Sequence, residues 1–139
     1  MHELATHELL HGVIAIPFVL IVWRNTKSLI KILLLFVVAY SIDLDHLLDY
    51  FLYAGSNFDL GFFLSSEYFA ASHHAYVIFH GWEWLLILGL LSYRERWRGF
   101  FTVLFFGLAS HLVLDAINVG NFAFYSFLYR LIRGFIFYS

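Results

Sequence analysis

Residues 30–50 read IKILLLFVVAYSIDLDHLLDY, an apolar run that ends in three aspartates and a histidine. Apart from Lys31, the first eleven positions are those expected of a helix in lipid. Four ionisable residues follow: Asp43, Asp45, His46 and Asp49. Charges at the edge of such a segment are costly unless they pair or bind a ligand. The stretch therefore predicts a membrane helix leading into a polar site, which we interpret as the centre of a metal site.

The composition predicts an integral membrane protein. The chain of 139 residues is 62% hydrophobic and 13% charged, and its mean hydropathy is +0.79. Soluble globular domains average about 25% charged residues. Residues 1–139 are short enough to form one transmembrane helical domain.

The apolar runs predict the number of helices. They occupy residues 9–23, 29–42, 75–93 and 99–117, and each approaches the roughly 20 residues that a spanning helix needs. Residues 55–72 predict a turn and a short interfacial helix. The apolar tail, 121–139, contains Arg130 and Arg133, so it forms either a fifth spanning helix, which we favour, or an interfacial helix. The expected fold is an all-α integral membrane bundle of four to five transmembrane helices with a short interfacial helix.

Basic residues indicate the orientation of the bundle. They concentrate in two loops, with Arg24, Lys27 and Lys31 after the first run and Arg94, Arg96 and Arg98 after the third. The positive-inside rule places both loops in the cytoplasm. The acidic residues of the first half of the chain, and most histidines, then lie at the extracytoplasmic face of the cell membrane.

The chain contains no cysteine, which excludes disulfides, thiolate zinc sites and thiol nucleophiles. Any metal must be held by nitrogen and oxygen atoms. The net charge of -2, with no basic cluster longer than RERWR, argues against nucleic-acid binding.

Imidazoles and carboxylates gather at the predicted outer ends of all four helices. The candidate metal ligands are His7, His11, Asp43, Asp45, His46, His74, His80, His111 and Asp115. This total exceeds one tetrahedral site. Two metal ions, or one ion with a surrounding hydrogen-bonded shell, are both compatible with it.

Spacing predicts which of these candidates share a helical face. Pairs four residues apart are His7 with His11 and His111 with Asp115, and pairs three apart are Asp43 with His46 and His80 with Glu83. Asp45 would point about 100° away from its neighbours on a regular helix. Either the helix breaks there, or Asp45 serves a second metal or supports a ligand.

Nitrogen and carboxylate ligands suit zinc, iron(II), manganese or nickel, and we expect one or two zinc ions. A bound metal makes water acidic enough to react near neutral pH, and two metals can stabilise both oxygens of a phosphoester displacement. We assign the accompanying proton transfer to Glu83 or Asp45, although Glu83 could equally be a hydrogen-bond partner of His80.

Several motifs resemble a known family. DLDH at residues 43–46, SHHAYVIFHGWEWL with its paired histidines, SHLVLDAINVG with His111 and Asp115, and THELLHG with His7 resemble the small membrane-bound metal-dependent hydrolases of bacteria and archaea. More distantly, the order of these residues is similar to that in the all-helical zinc-dependent phospholipase C fold. The resemblance implies metal binding and a hydrolase that acts on a lipid or lipid-linked phosphoester.

Other functions remain open. Histidine-rich membrane helices also hold iron in desaturase-like oxygenases, and His7, His11, His73 and His74 hint at that class. A metal transporter would need ligands along the membrane midplane, and a haem protein would need two opposed histidines. A purely structural polar network is the fourth alternative. The expected partner is a membrane lipid, and the sequence is compatible with an oligomer.

Overall fold

The computed structural model describes the backbone of residues 2–137 and the side chains of residue 7 and residues 9–137. The helices are α1 (His2–Thr26), α2 (Leu29–Ser41), α3 (His46–Ala54), α4 (Leu60–Ser65), α5 (Glu67–Ser72), α6 (Trp82–Arg94), α7 (Phe100–Val119) and α8 (Phe127–Ile132). Two 3₁₀ turns cover Ile42–Asp45 and Phe122–Tyr125. The predicted all-α fold is confirmed: this part of the chain contains only one isolated bridge, between His74 and Ile136, and no strand.

Helix α7 lies at the centre of the bundle. It packs against α1, α2 and α6, and α1 also packs against α2. The crossing of α2 and α7 is close, because a Cβ atom on Gly107 would lie 2.7 Å from Val38 Cγ1 and 3.2 Å from the carbonyl oxygen of Leu35. A glycine at this position therefore lets α7 approach the backbone of α2.

Within residues 2–137, two helices are long and apolar enough to cross a membrane, over Leu9–Thr26 and Phe100–Val119. The other apolar runs give shorter helices: α2 and α6 have 13 residues each, which is about 20 Å of helix. The apolar tail forms only a 3₁₀ turn and the six residues of α8. The preference for a fifth spanning helix is therefore wrong, because α8 is only about 9 Å long.

Of the alternatives that the spacing leaves open at Asp45, a break in the helix is present. Helix α2 ends at Ser41, the 3₁₀ turn Ile42–Asp45 follows, and α3 then starts at His46. The turn and short helix expected at residues 55–72 appear as Gly55 at a φ of 65° followed by α4 and α5. Tyr50 secures this region, since its hydroxyl accepts a hydrogen bond from the Asp59 N–H at 2.8 Å.

The third apolar run is helical only in its second part. Residues 73–81 lie outside any helix, and α6 starts at Trp82 after Gly81 in an extended conformation. His80 thus precedes α6. The expectation that His80 and Glu83 share one helical face is therefore wrong. Residues 73–81 are not helical, because their polar backbone groups bond to side chains elsewhere in the protein.

The two basic loops lie at one end of the bundle, as their composition predicts. Lys31 Nζ donates a hydrogen bond to the carbonyl oxygen of Arg98, which joins the start of α2 to the loop before α7. The histidines of α1 and α7 are at the opposite ends of these helices.

Replacing Gly107 with alanine is expected to lower the free energy of unfolding by about 1 kcal/mol. The added methyl group overpacks the contact with Val38, which costs about 2 kcal/mol, and the gain in helix propensity returns about 1 kcal/mol. Thermal unfolding in detergent measures the change. Gly61→Ala in the exposed helix α4 is the matched control, and a Gly107→Ala protein as stable as that control would contradict the close crossing.

Candidate metal centre

Side chains from four parts of the chain meet at the end of the bundle opposite the basic loops. Among the residues that the structure describes, three overlapping groups have ligand atoms close enough to hold a metal ion. The first group is Asp43, His80, His111 and Asp115; the second group is His7, His11 and Asp115; the third group is Asp45, His46 and His80. These buried groups could hold a metal ion.

The first group has the spacing of a coordination shell. His80 Nε2 lies 3.0 Å from His111 Nε2, 3.3 Å from Asp43 Oδ1 and 3.4 Å from Asp115 Oδ2. His111 Nε2 lies 3.3 Å from Asp43 Oδ1 and 3.0 Å from Asp115 Oδ2. Ligand atoms about 2.0–2.1 Å from a tetrahedral zinc ion are about 3.3 Å from one another. The donor atoms therefore surround a space of the right size for the ion.

Outer hydrogen bonds orient both imidazoles of the first group. His111 Nδ1 lies 2.7 Å from the carbonyl oxygen of Ala39, which can only accept, so Nδ1 carries the proton. His80 Nδ1 lies 3.1 Å from Asp45 Oδ2, a carboxylate oxygen that also accepts. In the neutral rings, both Nε2 atoms then present lone pairs to each other across 3.0 Å. This arrangement is repulsive unless a proton or a metal cation lies between them, and it is the arrangement typical of metal-ligating histidines.

The second group shares Asp115 with the first. His7 Nε2 and His11 Nε2 are 3.0 Å apart, and each lies 3.4 Å from Asp115 Oδ1. The other oxygen, Oδ2, faces His80 and His111. One carboxylate thus presents its two oxygens to two separate pairs of imidazoles. Asp115 could therefore be a ligand in both the first and the second group.

The helical pairs predicted from spacing are those that contact Asp115. His7 and His11 project from one face of α1, and His111 and Asp115 from one face of α7. The His11 ring also stacks on the His111 ring, with centroids 4.1 Å apart. The packing of α1 on α7 therefore determines the distance between the first and second groups.

The two oxygens of the Asp43 carboxylate have different surroundings. Its Oδ1 atom belongs to the first group. Its Oδ2 atom is buried and has no hydrogen-bond partner among the residues described.

Asp45 supports His80 rather than completing the first group. Its Oδ2 atom contacts His80 Nδ1 and also accepts the backbone N–H of Phe79 at 2.7 Å. Of the two roles that spacing leaves open for Asp45, this contact favours support of a ligand. Carboxylates that bind the outer nitrogen of a ligating imidazole fix its tautomer and orientation.

His46 lies at the edge of the centre. Its ring stacks on His80, with centroids 5.0 Å apart, and its Nε2 is 3.6 Å from Asp43 Oδ1. Burial and the nearby His80 lower the pKa of His46 to about 4. The imidazole is therefore neutral near pH 7 and has a lone pair to offer.

Side chains replace helical hydrogen bonds along residues 73–81, which carry His80. Asp49 accepts the N–H groups of Tyr76 and Val77 at 2.6 and 3.0 Å. Arg130 is 2% exposed and donates to three carbonyl oxygens, those of Val77, His80 and Phe124, at 3.0, 2.8 and 2.6 Å. An arginine in an apolar tail is expected to extend its side chain to a membrane interface, and this expectation is wrong for Arg130. The signal in the sequence was a pair of arginines, Arg130 and Arg133, in an otherwise apolar tail.

Two residues proposed from the sequence lie outside the three groups. The Glu83 carboxylate accepts three hydrogen bonds at the start of α8, from the Ser126 hydroxyl and from the N–H groups of Phe127 and Leu128. The exposed His74 ring contacts the carbonyl oxygen of Ser72 at 2.7 Å. Glu83 thus anchors the tail, and His74 belongs to the loop before α6.

Two clefts reach the centre from different sides. The inner cleft, about 220 Å³, lies between the centre, residues 75–80 and the tail, and Phe69, Phe124 and Phe137 form much of its wall. The outer cleft, about 250 Å³, lies between α2, α3 and α4. His7, Asp43 and His46 line both clefts. The centre is therefore accessible, and mostly apolar walls surround it.

Comparison of the chain with protein-family models, curated proteins and solved structures finds no match. The resemblance to membrane-bound metal-dependent hydrolases therefore stays a prediction.

Asp45→Asn is expected to weaken zinc binding by about 10- to 100-fold without abolishing it, because the variant loses the charge that orients His80. His111→Ala, which removes a proposed ligand, is expected to abolish binding. Competition with a chromophoric chelator in detergent measures both, with Asp59→Asn at the exposed cap of α4 as the control. Equal losses in the two variants would indicate that Asp45 is itself a ligand.

Arg130→Met is expected to lower the free energy of unfolding by at least about 3 kcal/mol, because three buried carbonyl groups lose their donor. The melting temperature in detergent should fall by roughly 10 °C. Arg133→Met is the matched control, since Arg133 is exposed and its guanidinium lies 5.4 Å from the Tyr129 ring centroid. Similar melting temperatures for the two variants would contradict the structural role of Arg130.

Proposed function

We propose that the chain is a membrane-embedded, metal-dependent hydrolase that cleaves a lipid or lipid-linked phosphoester, with zinc as the metal. The observation that carries this proposal is the Asp115 carboxylate, whose two oxygens face two separate pairs of histidine nitrogens. Many hydrolases of phosphoesters use paired metal ions. Cleft walls rich in phenylalanine support an amphiphilic substrate.

In this proposal the bundle crosses the cell membrane with four helices, α1, α2, α6 and α7. Because α2 and α6 are shorter than the membrane is thick, the residues before and after them would cross the rest of it. The metal centre, which these flanking residues help to form, would then lie below the membrane surface at the level of the lipid headgroups. The basic loops after α1 and α6 lie in the cytoplasm by the positive-inside rule, so the centre faces the extracytoplasmic side.

The residues of the first and second groups would hold the ions. A divalent metal ion makes water acidic enough to attack near neutral pH and stabilises negative charge that develops on a phosphoryl oxygen. Asp115 would hold the two imidazole pairs at a common distance, while Asp45 and the carbonyl of Ala39 keep His80 and His111 in the ligating tautomer.

In the reaction, the oxygen of water bonds to phosphorus, the ester P–O bond breaks, and the leaving alcohol oxygen takes a proton. His46 lines both clefts and is neutral near pH 7, so its imidazole could accept a proton from the attacking water and pass it to the leaving oxygen. Glu83 has no part in this scheme, because its carboxylate is engaged at α8.

One observation also favours a second candidate, an iron-dependent oxygenase. Carboxylates that bridge two metals, together with histidines, are typical of diiron proteins. The same Asp115 geometry would serve either metal pair, so the identity of the metal separates the two functions.

Elemental analysis of protein purified in mild detergent without added metal or a histidine tag tests the metal. We expect one to two equivalents of zinc for each chain, and loss of metal in Asp115→Asn. Two equivalents of iron would favour the oxygenase, and a metal-free protein that retains its fold would contradict both.

Hydrolysis tests the reaction. Phosphate or phosphorylated headgroup released from mixed micelles of phospholipids and lipid phosphates should appear with the wild-type protein. It should fall more than about a hundredfold in Asp115→Asn. Glu67→Gln, at an exposed site on α5, is the control and should retain activity. Zinc-loaded protein that cleaves no phosphoester in this panel would contradict the proposal.

A further inference from the structure

A long apolar groove runs along the outer side of α2. Its volume is about 470 Å³, and its lining residues are Leu33, Phe36, Val37, Tyr40, Ser41 and Leu44. None of these residues carries a charge, and Leu33, Val37 and Leu44 are each more than half exposed. Leu44 follows Leu33 by eleven positions, the last three of them in the 3₁₀ turn, which corresponds to about 18 Å. This length is comparable to one leaflet, since the whole hydrocarbon core is about 30 Å thick.

The groove continues into the outer cleft. Tyr40 and Leu44 line both the groove and the cleft. Beyond Leu44, the cleft is lined by Asp43, His46 and His7, which belong to the candidate metal centre. An uninterrupted surface therefore leads from an apolar helix face to ionisable residues that could hold metal ions.

A second apolar groove on the bundle is not connected to either cleft, in contrast to the α2 groove. It has a volume of about 270 Å³ and lies between α2, α6 and α7, where Val38, Phe79 and Leu104 are among its lining residues. None of the residues that line it also lines the outer or the inner cleft. It is a surface that lipid can cover, without a connection to the centre.

The order of polarity along the α2 groove indicates what it binds. An amphiphile with one extended hydrocarbon chain and an anionic phosphate fits both ends, because the chain would cover the groove while the phosphate reaches the centre. The two hydroxyl groups, of Tyr40 and Ser41, lie where the groove meets the cleft. They are the polar groups suited to the glycerol or ester region of such a molecule.

We propose that the α2 groove binds the hydrocarbon chain of the substrate and forms a lateral route from the bilayer to the metal centre. This inference rests on the proposed function for the identity of the headgroup. It predicts a preference for substrates whose chain fills the groove. Short-chain phosphoesters would reach the centre through the cleft without occupying the groove.

Photolabelling tests the groove without requiring turnover. The probe is a long-chain alkyl phosphate with a diazirine in the middle of its chain, added to the protein in lipid nanodiscs and mapped by mass spectrometry. We expect adducts on residues 33–44 that an excess of unlabelled alkyl phosphate displaces. Displaceable adducts confined to the second groove or to the inner cleft would overturn the proposal.

Tryptophan substitutions sharpen this test. Leu44→Trp obstructs the junction of groove and cleft, and should reduce displaceable labelling at least fivefold. Leu52→Trp on α3 is the matched control, because Leu44 and Leu52 are both 61% exposed and Leu52 lines neither the groove nor the clefts. Val37→Trp obstructs the groove away from the centre, so it preserves the test if Leu44→Trp does not fold. Equal labelling in the Val37→Trp and Leu52→Trp proteins would overturn the route.

Kinetics then separate this inference from the proposed function. Val37→Trp, which lies in the groove and lines neither cleft, should lower kcat/KM for a long-chain phosphoester about tenfold, and leave zinc content and the hydrolysis of a short-chain phosphoester unchanged. Equal effects on both chain lengths would overturn the groove. Displaceable labelling of α2 without hydrolysis of either substrate would support the groove as a lipid site and contradict the hydrolase.

Discussion

The contact between the Asp115 carboxylate and four imidazoles is the constraint on which the rest of the structure depends. A buried carboxylate is costly unless cations or hydrogen-bond donors surround it. Asp115 is met by His111 from its own helix, by His7 and His11 from α1, and by His80 from the segment before α6. Both α1 and the segment before α6 must pack closely against α7 for the four nitrogens to reach the two oxygens. The geometry of the candidate metal centre therefore depends on how the helices of the bundle pack.

The segment that carries His80 has irregular backbone, although the protein around it is largely apolar. Such backbone is tolerated near a membrane only where protein groups satisfy its hydrogen bonds. Asp45 and Asp49 accept its N–H groups from one side, and Arg130 donates to its carbonyl groups from the other. These charges also balance one another. The irregular backbone also positions a ligand. It lets His80 Nε2 point at the centre from a position that a regular helix would not offer.

Local periodicity was sufficient for part of the site. The four-residue spacing of His7 with His11 and of His111 with Asp115 predicted shared faces, since the pitch of a helix determines which side chains are neighbours. The same reasoning failed for His80 and Glu83, because it assumed that an apolar run is helical throughout. Hydrogen bonds from Asp45, Asp49 and Arg130 hold residues 73–81 outside any helix. All three residues lie at least 28 positions from Val77 along the chain, so these contacts form across the bundle.

The sequence by itself determined the helical class, the apolar character of the chain, the nitrogen and oxygen chemistry of the centre, and the collection of histidines and aspartates at one end of the helices. These properties follow from composition and from spacing along one helix. Only the tertiary structure decided that Asp115 lies between two histidine pairs, that Asp45 supports His80, that Glu83 and His74 lie elsewhere, and that Arg130 points inward. These outcomes depend on distances between residues far apart in the chain, and such distances are set by how α1, α2 and the tail pack around α7.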